Sequence, residues 1–374
     1  MSANGVIQRF GIEEEYFITD LKTRRMLAAP DEPVLAACRE ALGAGFAYEM
    51  FQGQVELASP VFTQTDQAAE YMSKARARLD QALAEHGLGF ICAGAHPLAD
   101  WREQQQTPQS HFRELFAEFA LVARRSVLSG LHVHAEIPAG VDRIAVMNEV
   151  LPWTPLLLAM STSSPFWDGV NSGYMSYRQA VCDEWPRMGI PEHLANETAF
   201  AQYLDTLRQA GAIAAKANVW WAIRPSLSFP TLELRMTDAC PRLADALLLA
   251  GLFRVMVHHA CYQAQPGSGY TAPIGWLLKE NRAQARRWGR HGRYVLAPAG
   301  DTLTLEQWLD QANDTFGSTA QALGEEGLFD QARRLLRAGT SAERQLRCFD
   351  AAAHTPSPLM AVAEQLIEES RQAL

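Results

Sequence analysis

The chain has 374 residues, 42 acidic against 33 basic, for a formal net charge of −9, with 48% hydrophobic and 20% charged side chains. That excess of negative charge excludes a nucleic-acid or anionic-membrane partner held by bulk electrostatics, while the apolar fraction is ample for a large core. The six cysteines (Cys38, Cys92, Cys182, Cys240, Cys261, Cys348) have neither C-x-x-C nor zinc-finger spacing. With no basic-then-apolar leader pattern at the N-terminus and no run of about 18 apolar residues, the expectation is a cytoplasmic protein with reduced thiols and no membrane span.

Val6 to Thr19 is rich in β-branched and aromatic residues and predicts a strand. Alternation puts Phe10, Ile12, Tyr16 and Ile18 on a core face and Glu13 and Glu15 on the other, about 7 Å apart. Glu14 points to the core side and calls for an arginine partner. Pro33 to Leu42 reads as a short helix. Ala47 to Leu57 reads as a second extended segment, in which Glu49 and Glu56 differ in parity. Gly53 between them suggests a bulge that resets the alternation and brings both carboxylates to the Glu13/Glu15 face; without it Glu49 is simply exposed. Asp66 to His86 is an amphipathic helix closed by Gly87, Leu88 to Ala95 a buried strand, and Phe112 to about Arg125 a helix. From Val127 to Pro138 the pattern alternates, with Leu131, Val133, Ala135 and Ile137 facing one way and His132, His134 and Glu136 the other.

Val141 to Met160 reads as a helix interrupted by Pro152 and Pro155. It is followed by irregular chain to about Glu197, the sort of long loop that often carries function. Phe200 to Ala215 is helical. Val219–Arg224 and Thr231–Asp238 predict a hairpin whose second strand turns Leu232, Leu234 and Met236 inward and Glu233, Arg235 and Thr237 outward. Beyond Pro241 the pattern is helical: Leu243–Gln265, Gly275 to about Arg290, Leu305–Leu323 and three more. Trp220 and Trp221 read as hairpin packing, and His258 and His259 as core or interface groups. The basic run from Arg282 to Arg293 reads as a solvated helix face or a nucleotide contact. With no repeat or linker, residues 1–374 predict a single α+β domain, sheet-rich to about residue 239 and helical after it.

Four extended segments thus offer polar groups to one sheet face: Glu13 and Glu15, Glu56 with Glu49, His132 and His134, and Glu233 with Arg235. So many carboxylates cannot stay ionised side by side without cations. Oxygen donors with an imidazole and no cysteine suit Mg²⁺ or Mn²⁺ rather than structural zinc. Arg235 and Arg224 among the acids point to an anionic guest, phosphate. Divalent ions with arginines suggest phosphoryl transfer from a nucleotide, held without a Walker, Rossmann or Gly-x-Ser-x-Gly motif.

Taken together, Gly11-Ile12-Glu13-Glu14-Glu15, Gln54-Val55-Glu56, Gly130-Leu131-His132-Val133-His134, Ser164-Pro165-Phe166-Trp167, Ser176-Tyr177-Arg178, Trp185-Pro186, Ile223-Arg224-Pro225-Ser226, Thr231-Leu232-Glu233-Leu234-Arg235 and Glu280-Asn281-Arg282 resemble the carboxylate–amine ligase family, or glutamate–cysteine ligase type 2. The resemblance implies a glutamine synthetase-like fold, a curved antiparallel β-sheet with helices on its outer face. It implies ATP and Mg²⁺ (or Mn²⁺) as cofactors and Glu13, Glu15, Glu49, Glu56, His132 and Glu233 as metal ligands. It places His134 and Arg224 near the nucleotide phosphates, Arg235 at the transferred phosphoryl group, and Arg178 and Tyr177 at the amino-acid substrate. The reaction implied activates the γ-carboxylate of glutamate as an acyl phosphate and joins it to an amine such as cysteine, in a homodimer or larger assembly. Ala222, Asn171-Ser172-Gly173 and Ala283 depart from the family pattern, near where the substrate is expected. Two other readings stand beside this one: a metallohydrolase built on His132-x-His134, and a non-catalytic nucleotide-binding protein.

Overall fold

The computed structural model describes residues 8–213, 219–262, 274–297 and 300–372. Strand β1, Phe10–Asp20, runs through the middle of an antiparallel sheet. Its neighbours are β2 (Phe46–Tyr48), β3 (Gln54–Ala58), β4 (Leu88–Ile91) and β5 (Leu131–Glu136), with the hairpin strands Ile223–Pro225 and Thr231–Leu234 beyond. The order across the sheet is Ile223–Pro225, Thr231–Leu234, β5, β1, β3, β2, and β4 pairs with the C-terminal half of β1. The long β1 therefore has β5 along its first half and β4 along its second, with β3 opposite both.

The period of two sorts the side chains as expected. Ile12, Tyr16, Ile18, Val55, Leu57, Leu131, Val133, Leu232 and Leu234 are all buried on one face. Helices α1 (Glu32–Leu42) and α2 (Thr65–Ala84), with Arg143–Val150, Thr154–Ser161 and Leu243–Tyr262, close over that face in one continuous apolar cluster. Two helical stretches, Arg143–Ser161 and Leu243–Tyr262, are long and apolar enough to cross a membrane by length and composition, yet 78% of each is buried inside the fold. They are core helices. The helical layer continues through Gly275–Trp288, Leu305–Ala322, Leu328–Ala338, Ser341–Ala351 and Pro358–Arg371. Pro358–Arg371 covers a second apolar cluster on the opposite side of the sheet, around Phe17, Phe51, Ile91 and Phe166.

The partner that Glu14 requires is Arg76 on α2. Its Nε and Nη2 donate to the two Glu14 oxygens at 2.9 and 2.6 Å, and Tyr16 Oη donates to Glu14 at 2.7 Å. Arg76 also donates to the carbonyls of Cys240 (2.9 Å) and Pro241 (2.5 Å). This buried pair ties the central strand to its covering helix and to the chain leaving the hairpin.

Three expectations change. The segment from Ala47 to Leu57 is not one bulged strand: β2 and β3 are separate antiparallel strands, and the chain reverses through Glu49–Gly53. Gly53 is required by close approach, since a Cβ there would lie 1.9 Å from the Leu27 carbonyl. The Phe112–Arg125 helix divides into Ser110–Phe119 and Leu121–Arg125 at Ala120, whose φ is +45°. The basic run is not a free solvated face: Arg282 is buried against Asp183, Arg286 pairs with the same carboxylate, and Arg290 pairs with Glu343. The expected starts and ends at Val6, Ala215 and Gln265 lie outside the described residues.

Breaking a buried pair from one side leaves an uncompensated charge. Glu14→Gln is therefore expected to cost about 3–5 kcal/mol of stability, read from urea unfolding. Glu14→Leu combined with Arg76→Met should recover most of that loss, since neither charge then remains buried alone.

Candidate active site

Strand register assembles the site. Glu13 lies opposite His132, Glu15 opposite Glu56, His134 opposite Glu233, and Glu233 opposite Arg224. The residues expected to share a sheet face thus form a row across five strands, on the face turned away from the main core.

At one end of the row His134 Nε2 lies 3.3 Å from Glu13, and its Nδ1 is 2.9 Å from the Thr231 hydroxyl. One ligand atom each from Glu13, His134 and Glu233 lies within 4.8 Å of the other two. His132 sits between acids, its Nδ1 3.3 Å from Glu13 and its Nε2 3.8 Å from Glu15. Glu233 is buried and clamped by two arginines: Arg224 Nε donates at 2.8 Å, and Arg235 Nη1 pairs with the other oxygen. The Gly130 amide donates to Glu15 at 2.7 Å. A Cβ at Gly130 would lie 2.4 Å from Arg178 Nη2 and 2.8 Å from His132 Nε2, so only glycine lets both side chains close over this point.

Electrostatics divide these acids in two. Burial opposes ionisation of Glu13, but hydrogen bonds to His132 and His134 outweigh it and hold the carboxyl low. Burial is likewise outweighed at Glu233 by Arg235 and Arg224, which hold it at about 2. At Glu15, burial and the neighbouring Glu49 push the carboxyl up to about 8, against the pull of Arg178. Glu56 is raised well above the carboxylate range by burial and by Glu49, Glu13 and Glu15. Burial and Arg235 bring His132 down to about 4, so its imidazole is neutral at pH 7. Glu15, Glu49 and Glu56 therefore behave as an acid cluster short of positive charge, beside the Glu13–His134–Glu233 group. An oxygen-rich set in which Glu15 and Glu56 take up protons when nothing else neutralises them fits a hard divalent ion.

Glu15, Glu49, His132, Arg178 and Arg235 also line a cavity of about 220 Å³ whose remaining wall includes Phe112, Leu115, Trp185, Met188 and Trp220. Arg178 is buried there, donating from Nη1 to the carbonyls of Met236 (3.3 Å) and Thr237 (3.2 Å), while its Nε has no hydrogen-bond partner among the described residues. A second cavity, of about 270 Å³, opens at the Glu13–His134 end among Gly11, Ser59, Val61, Phe229 and Thr231.

Most of the expected residues are brought together; Tyr177 is not. It begins the short helix that carries Arg178, and successive residues on a helix point about 100° apart. Its ring consequently packs on Trp167 and Tyr174, at 5.6 and 5.9 Å, away from the cavity. His134, expected beside phosphate, shares the three-residue group with Glu13 and Glu233. The departures from the family pattern lie outside the cavity wall: Ala222 is buried in the main core, Asn171 accepts from the Gly173 amide in a turn, and Ala283 rides on the Gly275–Trp288 helix. Residue pattern alone missed the cavity role of Trp185 and Trp220, whose rings stand 5.3 Å apart. It also missed Asp238, fully buried and accepting from Ser163 N (3.0 Å), Ser164 Oγ (2.8 Å) and Ser176 Oγ (2.8 Å), which anchors the loops flanking Arg178. A carboxylate at the end of an alternating strand, near serine-rich loops, was the available signal.

The fold is shared with the glutamate–cysteine ligase of Francisella tularensis in complex with AMP, at a TM-score of 0.72 and 13% identity over 98% of this chain and 90% of that one. It is shared equally with a bifunctional glutathione synthetase from Pasteurella multocida, at 0.71 and 15% over 97% and 52%. At those identities the likeness is one of fold. Fold and site together define an ATP-dependent carboxylate–amine ligase that uses a divalent metal. The chain belongs to glutamate–cysteine ligase family 2, whose model matches residues 9–368. A Pseudomonas fluorescens relative, provisionally named glutamate–cysteine ligase 2, is 64% identical over 99% of this chain and 96% of its own length; a Pseudomonas aeruginosa relative with the same provisional name is 46% identical over 100% and 91%. Formation of a γ-glutamyl amide bond follows from that membership.

The raised carboxyls of Glu15 and Glu56 fix a direction with pH. A folded value above the unfolded one means stability that is complete at low pH and lost as pH rises through the folded value. From about pH 7.5 to about 8, above the ordinary imidazole range in which the lowered His132, His96, His258 and His259 act in the opposite sense, the metal-free protein should melt at progressively lower temperature. Added Mg²⁺ should raise the midpoint more at pH 8 than at pH 6.5, as differential scanning fluorimetry will read; equal shifts at both would contradict the assignment of these acids.

Proposed function

We propose that the protein joins the γ-carboxylate of glutamate to an amine at the expense of ATP, as a single catalytic domain working in the cytoplasm as a homodimer. The observation that carries this reading is the row from Glu15 through Glu13, His132, His134 and Glu233 to Arg235, beside a cavity holding a partly unpartnered Arg178. Glu13, Glu233 and a histidine of the His132/His134 pair would hold one Mg²⁺ or Mn²⁺, and Glu15, Glu49 and Glu56 another. Bound there, the ions would supply neutralisation of the triphosphate.

The chain's own groups do the remaining work. Arg178 binds the α-carboxylate of glutamate and so aims its γ-carboxylate along the row toward the nucleotide. A γ-carboxylate oxygen attacks the γ-phosphorus in line. The bond to the ADP oxygen breaks, and Arg235 and Arg224 offset the charge that builds on the transferred group. The amine nitrogen then forms the C–N bond, and the acyl C–O bond breaks with its electron pair leaving on phosphate. Of the two protons the ammonium sheds, one ends on phosphate and one in solvent. The neutral His132 suits this site, because an imidazolium there would compete with metal for Glu13 and Glu15.

The hydrolase reading predicts turnover without ATP, and the non-catalytic reading predicts none. Incubation with ATP, Mg²⁺, glutamate and a panel of amines should yield ADP and phosphate only when both glutamate and an amine are present. Arg235→Ala should lower that rate by about 10²–10³-fold, with Glu233→Gln similar. Amine-independent hydrolysis, or full rates in both variants, would remove this reading.

A further inference from the structure

Arg178 lines the cavity beside Glu15, and its side chain is held there by backbone carbonyls. Nη1 donates to those of Met236 (3.3 Å) and Thr237 (3.2 Å), and both Nη1 and Nη2 reach that of Arg235 at 3.4 Å. These three residues lead directly into Asp238. The Arg178 amide donates to Ser164 Oγ at 3.1 Å, and the Ser164 hydroxyl donates in turn to Asp238 Oδ2 at 2.8 Å. Asp238 thus meets Arg178 from two directions, along the chain through the carbonyls that grip the guanidinium and across it through Ser164.

Asp238 is itself fully buried and tightly surrounded. Its Oδ2 also accepts from the Ser163 amide at 3.0 Å, and its Oδ1 accepts from Ser176 Oγ, two residues before Arg178, at 2.8 Å. A Cβ at Gly94 would lie 2.6 Å from Asp238 Cγ, so glycine is required on that side. On another side Asp238 pairs with Gly130 in an isolated antiparallel bridge, and the Gly130 amide donates to Glu15 at 2.7 Å. Burial raises the Asp238 carboxyl while Arg178 draws it back down, so the two charges sense each other across Ser164. A carboxylate pressed directly onto Arg178 would occupy donors that a substrate carboxylate needs. A serine set between them keeps the counter-charge near and leaves the guanidinium to the carbonyls. Placement of this kind matters, because a shift of about 1 Å in a group that orients a substrate costs on the order of 10²-fold.

Resting on the ligase reading above, we propose that Asp238 is a positioning residue for the carboxylate substrate, acting through Ser164 to set the start of the helix that aims Arg178 into the cavity. It touches neither substrate nor nucleotide. Its loss falls on glutamate, whose clamp it holds, and spares ATP, whose arginines stand on the hairpin.

The test uses the whole protein with ATP and Mg²⁺, glutamate varied, and hydroxylamine as a small nucleophile that displaces phosphate from the acyl phosphate to give glutamyl hydroxamate. Ser164→Ala should raise KM for glutamate at least about tenfold, with kcat and KM for ATP within about threefold of the wild type. Asp238→Ala should show the same split, and the double variant should be no worse than either single one, because both act through one connection. Asp238→Asn should restore most of the loss: its oxygen can take the Ser163 and Ser164 bonds, while the Ser176 hydroxyl turns to accept from its amide. An unchanged KM for glutamate in Ser164→Ala overturns this proposal and leaves the ligase reading standing. So does an equal loss in both KM values and kcat, which would mark a merely structural role. No hydroxamate from the wild type overturns both readings. Ser164→Ala and Asp238→Asn decide the matter even if Asp238→Ala fails to fold.

Discussion

Like charge confined to one sheet face is the constraint on which the rest of the structure depends. Three strands deliver Glu13, Glu15, Glu56 and Glu233 to the same side, and Glu49 reaches them from the turn before β3. Each of these acids is stabilised differently: Glu233 by two arginines, Glu13 by two imidazoles, Glu15 and Glu56 by taking up a proton. A site that must protonate to tolerate itself is prepared for cations, and through them for a triphosphate.

β1 makes this possible because it is anchored from its other face. Glu13 and Glu15 point at the site while Glu14, between them, is locked to Arg76 in the core. The residues that repel one another are therefore carried by the best-held strand of the sheet. The same logic recurs at the hairpin, where Leu232 and Leu234 are buried on one side and Glu233 faces the acids on the other. Further out, Asp238 gathers Ser163, Ser164 and Ser176, so the irregular chain around Arg178 is fastened to the end of that strand. The site is rigid where it holds charge.

The two cavities stand at opposite ends of the acid row, one beside Glu13 and His134, the other beside Glu15 and Arg178. That separation leaves the acid row between the two spaces. The residues named by the family resemblance converge on the row, and the substitutions expected to bear on substrate choice sit elsewhere. Trp185 and Trp220 line the cavity beside Glu15, in segments where residue pattern suggested only loop and packing.

Sequence by itself determined the α+β class, the alternation of β1, β5 and the hairpin, the run of helices after Pro241, and the set of acids, histidines and arginines that would share a face. Those follow from periodicities of two and 3.6 residues and from the chemistry of the side chains, which are local properties. Tertiary structure alone decided that Glu49 arrives by a chain reversal rather than a bulge, that Arg76 answers Glu14, that His134 joins Glu13 and Glu233, and that Tyr177 turns away while Trp220 faces in. Each of these depends on which segments pair and in what register. Register is a relation between residues far apart in the chain, and no local pattern encodes it.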